Sequence, residues 1–404
     1  MDFEAGLRRA APPGEIPTEG EPALVERIRA EIVRRGPMTF ARFMDVALYD
    51  PEHGYYRSAA ERPGRGGDFL TAPEIHPIFG AAIARQLVEI WERLDRPERF
   101  VLREYGAGSG TLGLTVLEAL AGRGRLGRVA GSPGLAAAIR YTPIEVNPQR
   151  LFTLTERFAA AGLKRHLELD VPPDRPEVGV VLANEFLDAL PVHRVRQRGD
   201  ELQELFVAWD GAGFVPHAGR PSTADLAARL AADGVRLGDG ARAEICLALD
   251  GWVAEVAAGL AHGAALIIDY GLPAAELYGP ARGDGTLMAY SGQQAHDDWS
   301  VAVGRQDLTA HVDLTALDRA GATNGLSLVG ETSQAEFLVG VGTDELFESI
   351  RSDPDTKMED WLAVRSSMGR LLDPKAMGGF RVTILGRDLP NDPPLAGLSF
   401  HLPR

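Results

Sequence analysis

Residues 101–112 place an acid, a glycine-rich turn and a helix-like run in an order that suits nucleotide-like ligands. An apolar, strand-like run leads to Glu104, and a helical pattern begins at Thr111. The glycines between them occupy every second position and are Gly106, Gly108 and Gly110. Glycine lacks a Cβ and tolerates positive φ, so a ligand can approach the backbone, and the following helix offers free N–H groups. In doubly wound α/β folds such turns bind ligands at the carboxyl ends of strands.

Two ligand classes compete for this turn. Gly108, Gly110 and Gly113 also fit the dinucleotide fingerprint. That fingerprint requires an acid about 20 residues onward to hold a ribose, whereas residues 121–141 contain no Asp or Glu. The glycine spacing alone therefore does not establish a dinucleotide site.

Two acids flank the turn in a different way. Glu104 precedes the first glycine, and Glu145 ends the next strand-like run. A carboxylate before the turn suits a ligand that has positive charge and no phosphate there, such as the amino group and sulfonium of S-adenosylmethionine. Glu145 can then accept both ribose hydroxyls. The pattern favours S-adenosylmethionine over NAD.

A second polar group follows the apolar run 180–183. Asn184, Glu185 and Asp188 would lie beside the glycine turn if the sheet is doubly wound. Asn184 and Asp188 could simply cap the following helix, which is a common use of these residues. Capping does not account for the whole group of acids. We therefore expect Asn184 and Glu185 to line a methyl-transfer pocket, with Asn184 also at the cofactor, and Asp188 to position the substrate.

Two further acids, Asp68 and Asp269, are candidates for the same region. Thr71 and Glu74 form a capping-box pattern, for which Asp68 and Phe69 are not needed. We predict that Asp68 and Phe69 lie over a bound cofactor or substrate. Asp269 ends a later strand-like run, where it is either a site residue or a turn residue before a glycine.

A metal site and hydrolase chemistry are not supported. Histidine and aspartate occur together in 296–298 and 307–313, but their spacing matches no standard ligand pattern, and we predict no metal. The chain contains neither G-x-S-x-G nor H-E-x-x-H, so a hydrolase mechanism lacks its usual motifs.

Composition restricts the function classes further. The 404 residues carry a formal charge of −15, which argues against a nucleic-acid surface and mildly favours cationic substrates. The single cysteine, Cys246, excludes an intramolecular disulfide. No apolar run approaches the ~18 residues that span a bilayer, and residues 1–4 do not resemble a signal peptide. We expect a cytoplasmic protein, as a monomer or a homodimer.

Apolar periodicity predicts alternating strands and helices from residue 100 onward, which is typical of βαβ units and a mainly parallel sheet. The predicted strands end near Glu104, Glu145, Asn184 and Asp269. Helices are predicted over 22–35, after Thr39, over 71–94 and over 242–261. Residues 276–332 are predicted to be irregular and polar, and to face a partner.

These signals divide the chain into regions. Residues 1–20 form a flexible lead and 21–95 an N-terminal helical region. The core covers 96–275 and 326–390, and the segments 276–325 and 340–375 are insertions that face a substrate or partner.

Taken together, these motifs resemble the MidA/NDUFAF7-type (DUF185) protein-arginine methyltransferases over roughly residues 22–390. The resemblance rests on segments 36–40, 48–56, 67–74, 104–112, 145–148, 183–191, 268–271, 285–287 and 307–313. It implies a class I methyltransferase fold, with a Rossmann-like, mainly parallel seven-stranded sheet, and S-adenosylmethionine as cofactor. Mitochondrial members are linked to symmetric dimethylation of an arginine in the 49-kDa subunit of respiratory complex I, in support of its assembly, which implies a type II arginine methyltransferase with a protein substrate.

The chain departs from the family pattern at Gln293, where a histidine is expected, at His76, where a small residue is usual, and in residues 379–382. These departures leave the cofactor motifs intact but leave the acceptor open. A small-molecule or peptide methyltransferase on the same fold is one alternative. A non-catalytic assembly factor that binds S-adenosylmethionine is another.

Overall fold

The computed structural model describes residues 18–57, 71–123, 126–127, 130–169, 171–292, 294–354 and 356–402. The predictions for Asp68, Phe69 and Gln293 fall outside these residues, as does most of the predicted flexible lead.

The strands and helices are numbered separately along the chain. The strands are β1 (Phe100–Tyr105), β2 (Ile139–Ile144), β3 (Glu177–Asn184), β4 (His193–Arg198), β5 (Glu201–Trp209), β6 (Phe214–Gly219), β7 (Arg242–Ile245), β8 (Leu260–Asp269), β9 (Gly271–Leu272), β10 (Met288–Ser291), β11 (Gln294–His296), β12 (Asp307–Thr309), β13 (Val312–Asp313), β14 (Ser327–Ser333) and β15 (Arg381–Arg387). The α-helices are α1 (Pro22–Arg35), α2 (Phe40–Tyr49), α3 (Ala72–Ile75), α4 (Ile78–Arg93), α5 (Thr111–Leu120), α6 (Pro133–Ala138), α7 (Pro148–Ala160), α8 (Asp225–Ala232), α9 (Ala248–Gly259), α10 (Ala274–Leu277), α11 (Leu314–Thr323), α12 (Gln334–Gly340), α13 (Thr343–Arg351) and α14 (Met358–Leu372).

The central sheet has the strand order β14-β15-β8-β3-β1-β2. Strands β2, β1, β3 and β8 run parallel, and β15 and β14 are antiparallel to their neighbours. The carboxyl ends of the four parallel strands therefore meet at one edge of the sheet. This arrangement confirms the α/β fold class and the strand ends that the sequence predicted.

Both faces of the sheet are covered by helices. Alternate side chains of β3 and β8 belong to two different apolar clusters, one shared with α4 and α5 and the other with α9 and α11. Successive side chains of a strand point to opposite faces, so this alternation shows helices on both sides, as in a doubly wound sheet. None of the helices in the described part of the chain is long and apolar enough to cross a membrane.

The seventh strand that the family resemblance implied is shortened. Next to β2 the described residues form only an isolated parallel bridge between Tyr141 and Leu167, so the hydrogen-bonded sheet has six strands. The chain soon reaches Pro172 and Pro173. Proline has no N–H to donate, so the ladder cannot continue far in this direction.

Three other predictions need correction. The helix predicted over 71–94 is broken at Pro77: His76 has extended φ and ψ of −162° and 143°, and its Nδ1 accepts the N–H of Ile78 at 3.0 Å. The residue before a proline disfavours helical geometry, which explains the break. Residues 242–245, predicted as helix, form β7 and pair with β4. Residues 276–332 are not irregular, because their short strands pair β10 with β11 and β12, and β13 with β9.

The N-terminal helices pack on additional sheets that the sequence did not predict. Strands β6, β5, β4 and β7 form a four-stranded antiparallel sheet, and β10 lies between β11 and β12 in another. An apolar cluster joins α1 and α2 to these sheets, and Met38 pairs with Val207. The helix predicted over 22–35 is confirmed, and Thr39 caps α2 by accepting the N–H of Arg42.

Close packing of α5 on β2 gives a stability prediction. A Cβ added to Gly113 would lie 2.3 Å from Cζ of Tyr141, whereas one added to Gly251 in α9 meets nothing within 4 Å. Replacing a helical glycine by alanine normally stabilises a protein by roughly 0.5–1 kcal/mol, and we expect this gain for Gly251→Ala. Gly113→Ala should instead destabilise by about 1–3 kcal/mol because the core is overpacked. Urea unfolding of both variants measures the contrast, and equal effects would contradict the packing described.

Candidate functional site

The glycine turn after β1 has the backbone geometry that only glycine adopts readily. Gly106, Gly108 and Gly110 have φ values of 67°, 55° and 76°. A Cβ added to Gly108 would meet nothing nearer than 4.0 Å, so this part of the backbone faces open space. At Gly110 a Cβ would lie 2.6 Å from Cγ of Leu154, so this glycine also permits α7 to pack closely. The turn therefore combines an accessible backbone with a closely packed helix start.

Glu145 reaches the rim of this turn from the end of β2. Its Oε2 accepts the N–H of Gly108 at 2.8 Å, and its Oε1 accepts the N–H of Asn147 at 2.7 Å. A carboxylate has about four acceptor sites, so two hydrogen bonds leave capacity for a ligand's hydroxyl groups. The structure brings Glu145 and the glycine turn together, as the sequence predicted.

Glu104 lies beneath the turn. It is 4% exposed, and its carboxylate accepts the Tyr141 hydroxyl at 2.6 Å and the N–H of Gly113. Burial raises the pKa of Glu104 to about 7, despite these two hydrogen bonds. The sequence predicted a carboxylate that faces the ligand. In the structure it faces β2 and α5, so any effect on a bound cation acts through space.

Thr111 begins α5 directly after the turn. Its hydroxyl accepts a hydrogen bond from Arg157 at 2.9 Å, and the same guanidinium group donates to the carbonyl of Ser109 at 2.9 Å. Arg157 thus fixes the exit of the turn against α7.

Asn184 and Glu185 end β3 beside the turn. Glu185 has φ of 50°, a conformation uncommon for a residue with a long side chain and one that concentrates at functional sites. Its Oε1 accepts the N–H of Ala72 and the side-chain amide of Asn184, both at 3.1 Å. Burial of this carboxyl group, and then the charge of Asp269, raise its pKa to about 8. The Asn184 Oδ1 is buried and has no hydrogen-bond partner among the described residues.

Asp269 holds the next part of the site in place. Its Oδ2 accepts the N–H groups of residues 186, 187 and 188 at 3.1, 2.7 and 3.3 Å. The sequence left open whether Asp269 is a site residue or a turn residue, and the structure gives it a positioning contact. The turn it holds carries Asp188, which is 6% exposed. Burial, and the charges of Asp269 and Asp307, raise the pKa of Asp188 well above its ordinary value.

Three residues that the sequence analysis did not assign to the site complete it. The Tyr49 hydroxyl donates to the carbonyl of Ala189 at 2.9 Å, and the Tyr56 hydroxyl donates to both Asp307 oxygens at 2.9 Å. The two tyrosine rings stack with centroids 5.5 Å apart. All three lie in segments that carry the family resemblance, 48–56 and 307–313. Membership of these segments was the one indication in the sequence that they belong to the site.

The combined charge of these residues limits what they can bind. The largest charge effects on Glu185 and Asp188 come from other acids, which are Asp269, Asp307 and Glu74. Buried carboxylates are stabilised by protons, hydrogen bonds or a cation, so this cluster of acids favours a positively charged ligand. Neighbouring carboxylates suit the planar guanidinium group, whose paired N–H donors match their oxygens. Within the described residues no group of three or more His, Cys, Asp and Glu side chains is arranged to hold a metal.

Comparisons with known proteins agree with this geometry. The Methyltransf_28 family model, which describes S-adenosyl-L-methionine-dependent methyltransferases, matches residues 82–332. A Drosophila melanogaster protein, named protein arginine methyltransferase NDUFAF7 homolog, mitochondrial, is 30% identical and covers 92% of this chain and 88% of its own length. The Danio rerio protein arginine methyltransferase NDUFAF7, also named mitochondrial, is 28% identical over 88% of this chain and 85% of its own length.

A solved structure is similar over nearly the whole chain. It is a COG1565 superfamily member from Burkholderia thailandensis, described as a likely methyl transferase and bound to S-adenosyl-homocysteine. It is 34% identical with a TM-score of 0.81, and the match covers 94% of this chain and 95% of that one.

Proposed function

We propose that this chain, which belongs to the Methyltransf_28 family of S-adenosyl-L-methionine-dependent methyltransferases, methylates an arginine side chain of a protein. S-adenosyl-L-methionine is the cofactor, as the family match and the relative bound to S-adenosyl-homocysteine indicate. The observation that carries the arginine assignment is the cluster of buried acids beside the glycine turn. The relatives named as arginine methyltransferases support the same acceptor.

The residues of the turn fit this cofactor. We infer that Glu145 accepts the ribose hydroxyls, while the open backbone at Gly108 receives the rest of the ligand. Gly106, Gly110 and Thr111 shape the turn, and Asn184 offers its unpartnered Oδ1 to the amino group. Asp68 and Phe69 remain proposed contacts.

Glu185 and Asp188 would hold the acceptor. A guanidinium group is planar and presents paired N–H donors that match carboxylates. Two acids can hold two of its nitrogens and leave the third pointing toward the cofactor, which supplies an electrophilic methyl group when bound. Alignment and exclusion of water then provide most of the catalysis. The carboxylate of Glu185 can take the proton that the methylated nitrogen releases.

The finer assignment is a type II enzyme that symmetrically dimethylates the bacterial counterpart of the complex I 49-kDa subunit and so supports complex assembly. It rests on the family resemblance and on relatives that carry the NDUFAF7 name. A cytoplasmic location stays a prediction, because the named relatives are mitochondrial. A small-molecule or peptide acceptor is the second candidate, since the fold does not fix the substrate. The intact acid set argues against a non-catalytic role.

Replacing Glu145 tests the cofactor contact. Glu145→Ala should weaken S-adenosylmethionine binding by roughly 1.5–3 kcal/mol, because it removes charge-assisted hydrogen bonds to the ribose. Isothermal titration calorimetry measures the change, with the exposed Glu201→Ala as the control that keeps full affinity. Unchanged affinity in a folded Glu145→Ala variant would show that another group binds the ribose.

Replacing the pocket acids tests the acceptor contact. Glu185→Gln and Asp188→Asn should bind S-adenosylmethionine nearly normally but methylate an arginine peptide poorly, because they lose the groups that orient the nucleophile. The pKa of Glu185 is about 8, and only the ionised form pairs with guanidinium. At saturating cofactor, kcat/KM for the peptide should therefore rise with pH, about tenfold per unit, and level off near pH 8.

The pH profile separates this role from a structural one. Glu185→Gln should lose the rise, whereas Glu201→Gln should keep it. A wild-type profile that is flat between pH 6 and 8, or the same rise in both variants, would contradict the role of Glu185.

The acceptor itself is tested in cells. Mass spectrometry of the 49-kDa-type subunit should find symmetric dimethylarginine in cells that carry this gene and unmodified arginine in cells that lack it. The same dimethylation with and without the gene would eliminate this acceptor and leave the methyltransferase activity standing. Tritiated methyl that appears only in a low-mass fraction would favour the small-molecule alternative.

A further inference from the structure

A groove of about 380 Å³ lies between α4 and α5 on one side and α13 and α14 on the other. Its walls are largely apolar, with Ala119, Ile350 and Val364 among the lining residues. Glu118 also lines it, and its carboxylate has no hydrogen bond or ion pair within the described part of the chain. Arg123 lines the groove too, and its guanidinium group donates to the carbonyl of Ala161. The groove therefore offers an apolar floor with one acid that has no ion pair and one arginine that is hydrogen-bonded to the backbone.

The groove begins close to the acidic pocket. Helix α3 connects the two, since the N–H of Ala72 donates to Glu185 and His76, four residues later, lines the groove. Four helical residues advance about 6 Å, and four extended residues span at most about 13 Å. A peptide bound at the acids can therefore enter the groove within about two to four residues. Thr115, one turn of α5 beyond Thr111, lines the groove as well.

The outer wall of the groove is open and apolar. Helix α14 contributes Ala363 and also exposes Met358 and Leu362, which are 69% and 52% accessible. Trp361 on the same helix packs against Phe347 of α13 with ring centroids 4.6 Å apart, which fixes α14 in place. Exposed large apolar side chains beside a groove are typical of a surface that binds a partner.

We propose that this groove binds the acceptor protein itself, through an apolar side chain and a neighbouring basic residue that flank the target arginine. The inference rests on the proposed function. The apolar floor takes the anchor side chain, Glu118 pairs with the basic residue, and the distance along α3 sets the anchor within about four residues of the arginine. The formal charge of −15 favours a basic segment as the occupant.

Two peptides from the 49-kDa-type subunit, centred on its target arginine, test the groove. A tripeptide extends only ~3.5 Å to each side and cannot reach the groove, whereas a peptide of about 25 residues can. Methyl transfer from tritiated S-adenosylmethionine to each peptide is measured with wild type and Ala363→Trp, whose indole fills the groove from an exposed position. The matched control is Val33→Trp on α1, where the native side chain is 73% exposed.

We expect wild type to have at least a tenfold lower KM for the long peptide than for the short one. Ala363→Trp should raise the long-peptide KM to the short-peptide value and leave both the short-peptide kinetics and kcat unchanged. Glu118→Gln should raise the long-peptide KM less, and its effect should disappear at high salt. Val33→Trp should behave as wild type.

Other outcomes overturn the proposal. Equal KM values for both peptides in wild type, or the same change in both with Ala363→Trp, would refute the groove while methyl transfer to arginine stands. A change in oligomeric state by analytical ultracentrifugation, with no change in KM, would assign the groove to a second copy of the chain. If wild type methylates neither peptide, the proposed acceptor fails and the groove proposal fails with it.

Discussion

The site depends on negative charge that is buried at the carboxyl edge of the sheet. Glu185, Asp188, Asp269 and Asp307 act on one another there, and the largest charge effects on Asp188 come from the other three. Burying carboxylates is costly unless they are protonated, hydrogen-bonded or paired with a cation. Asp269 accepts hydrogen bonds from the backbone, Asp307 from Tyr56, and Glu185 from Ala72 and Asn184. Burial and the neighbouring charges nevertheless raise the pKa of Glu185 and of Asp188, so these two acids bear most of the remaining cost. A bound cation would offset this cost, which is why we propose a guanidinium group as the occupant.

The buried acids lie on segments that are held in place by hydrogen bonds from distant parts of the chain. The turn with Glu185 and Asp188 keeps its shape because Asp269, on β8, accepts three successive N–H groups. The N-terminal region closes the other side through the Tyr49 hydrogen bond to Ala189. Segments far apart in sequence therefore each contribute a specific hydrogen bond to one site. Removing either partner of such a bond leaves a buried polar group unpaired.

Local patterns in the sequence were sufficient for the sheet and the glycine turn. The strand ends, the positive-φ glycines and the position of Glu145 follow from periodicity and from the conformational freedom of glycine. The orientation of Glu104 could not be predicted, because it depends on which face of β1 packs against Tyr141. Residues 242–245 have an apolar spacing that fits a helix, and only pairing with β4 makes them a strand.

Long-range contacts explain why the tyrosines were missed. Tyr56 and Asp307 are separated by 251 positions, and no local pattern indicates that they meet. Their contact also links the two halves of the site. The side-chain amide of Asn147 donates to the carbonyl of Tyr56 at 3.0 Å, and the Asn147 N–H donates to Glu145. Hydrogen bonds therefore lead from Glu145, proposed to hold the ribose, through Asn147 and Tyr56 to Asp307, whose charge acts on Asp188. The N-terminal segment is in this sense part of the proposed site, because Tyr56 supplies the middle of that connection.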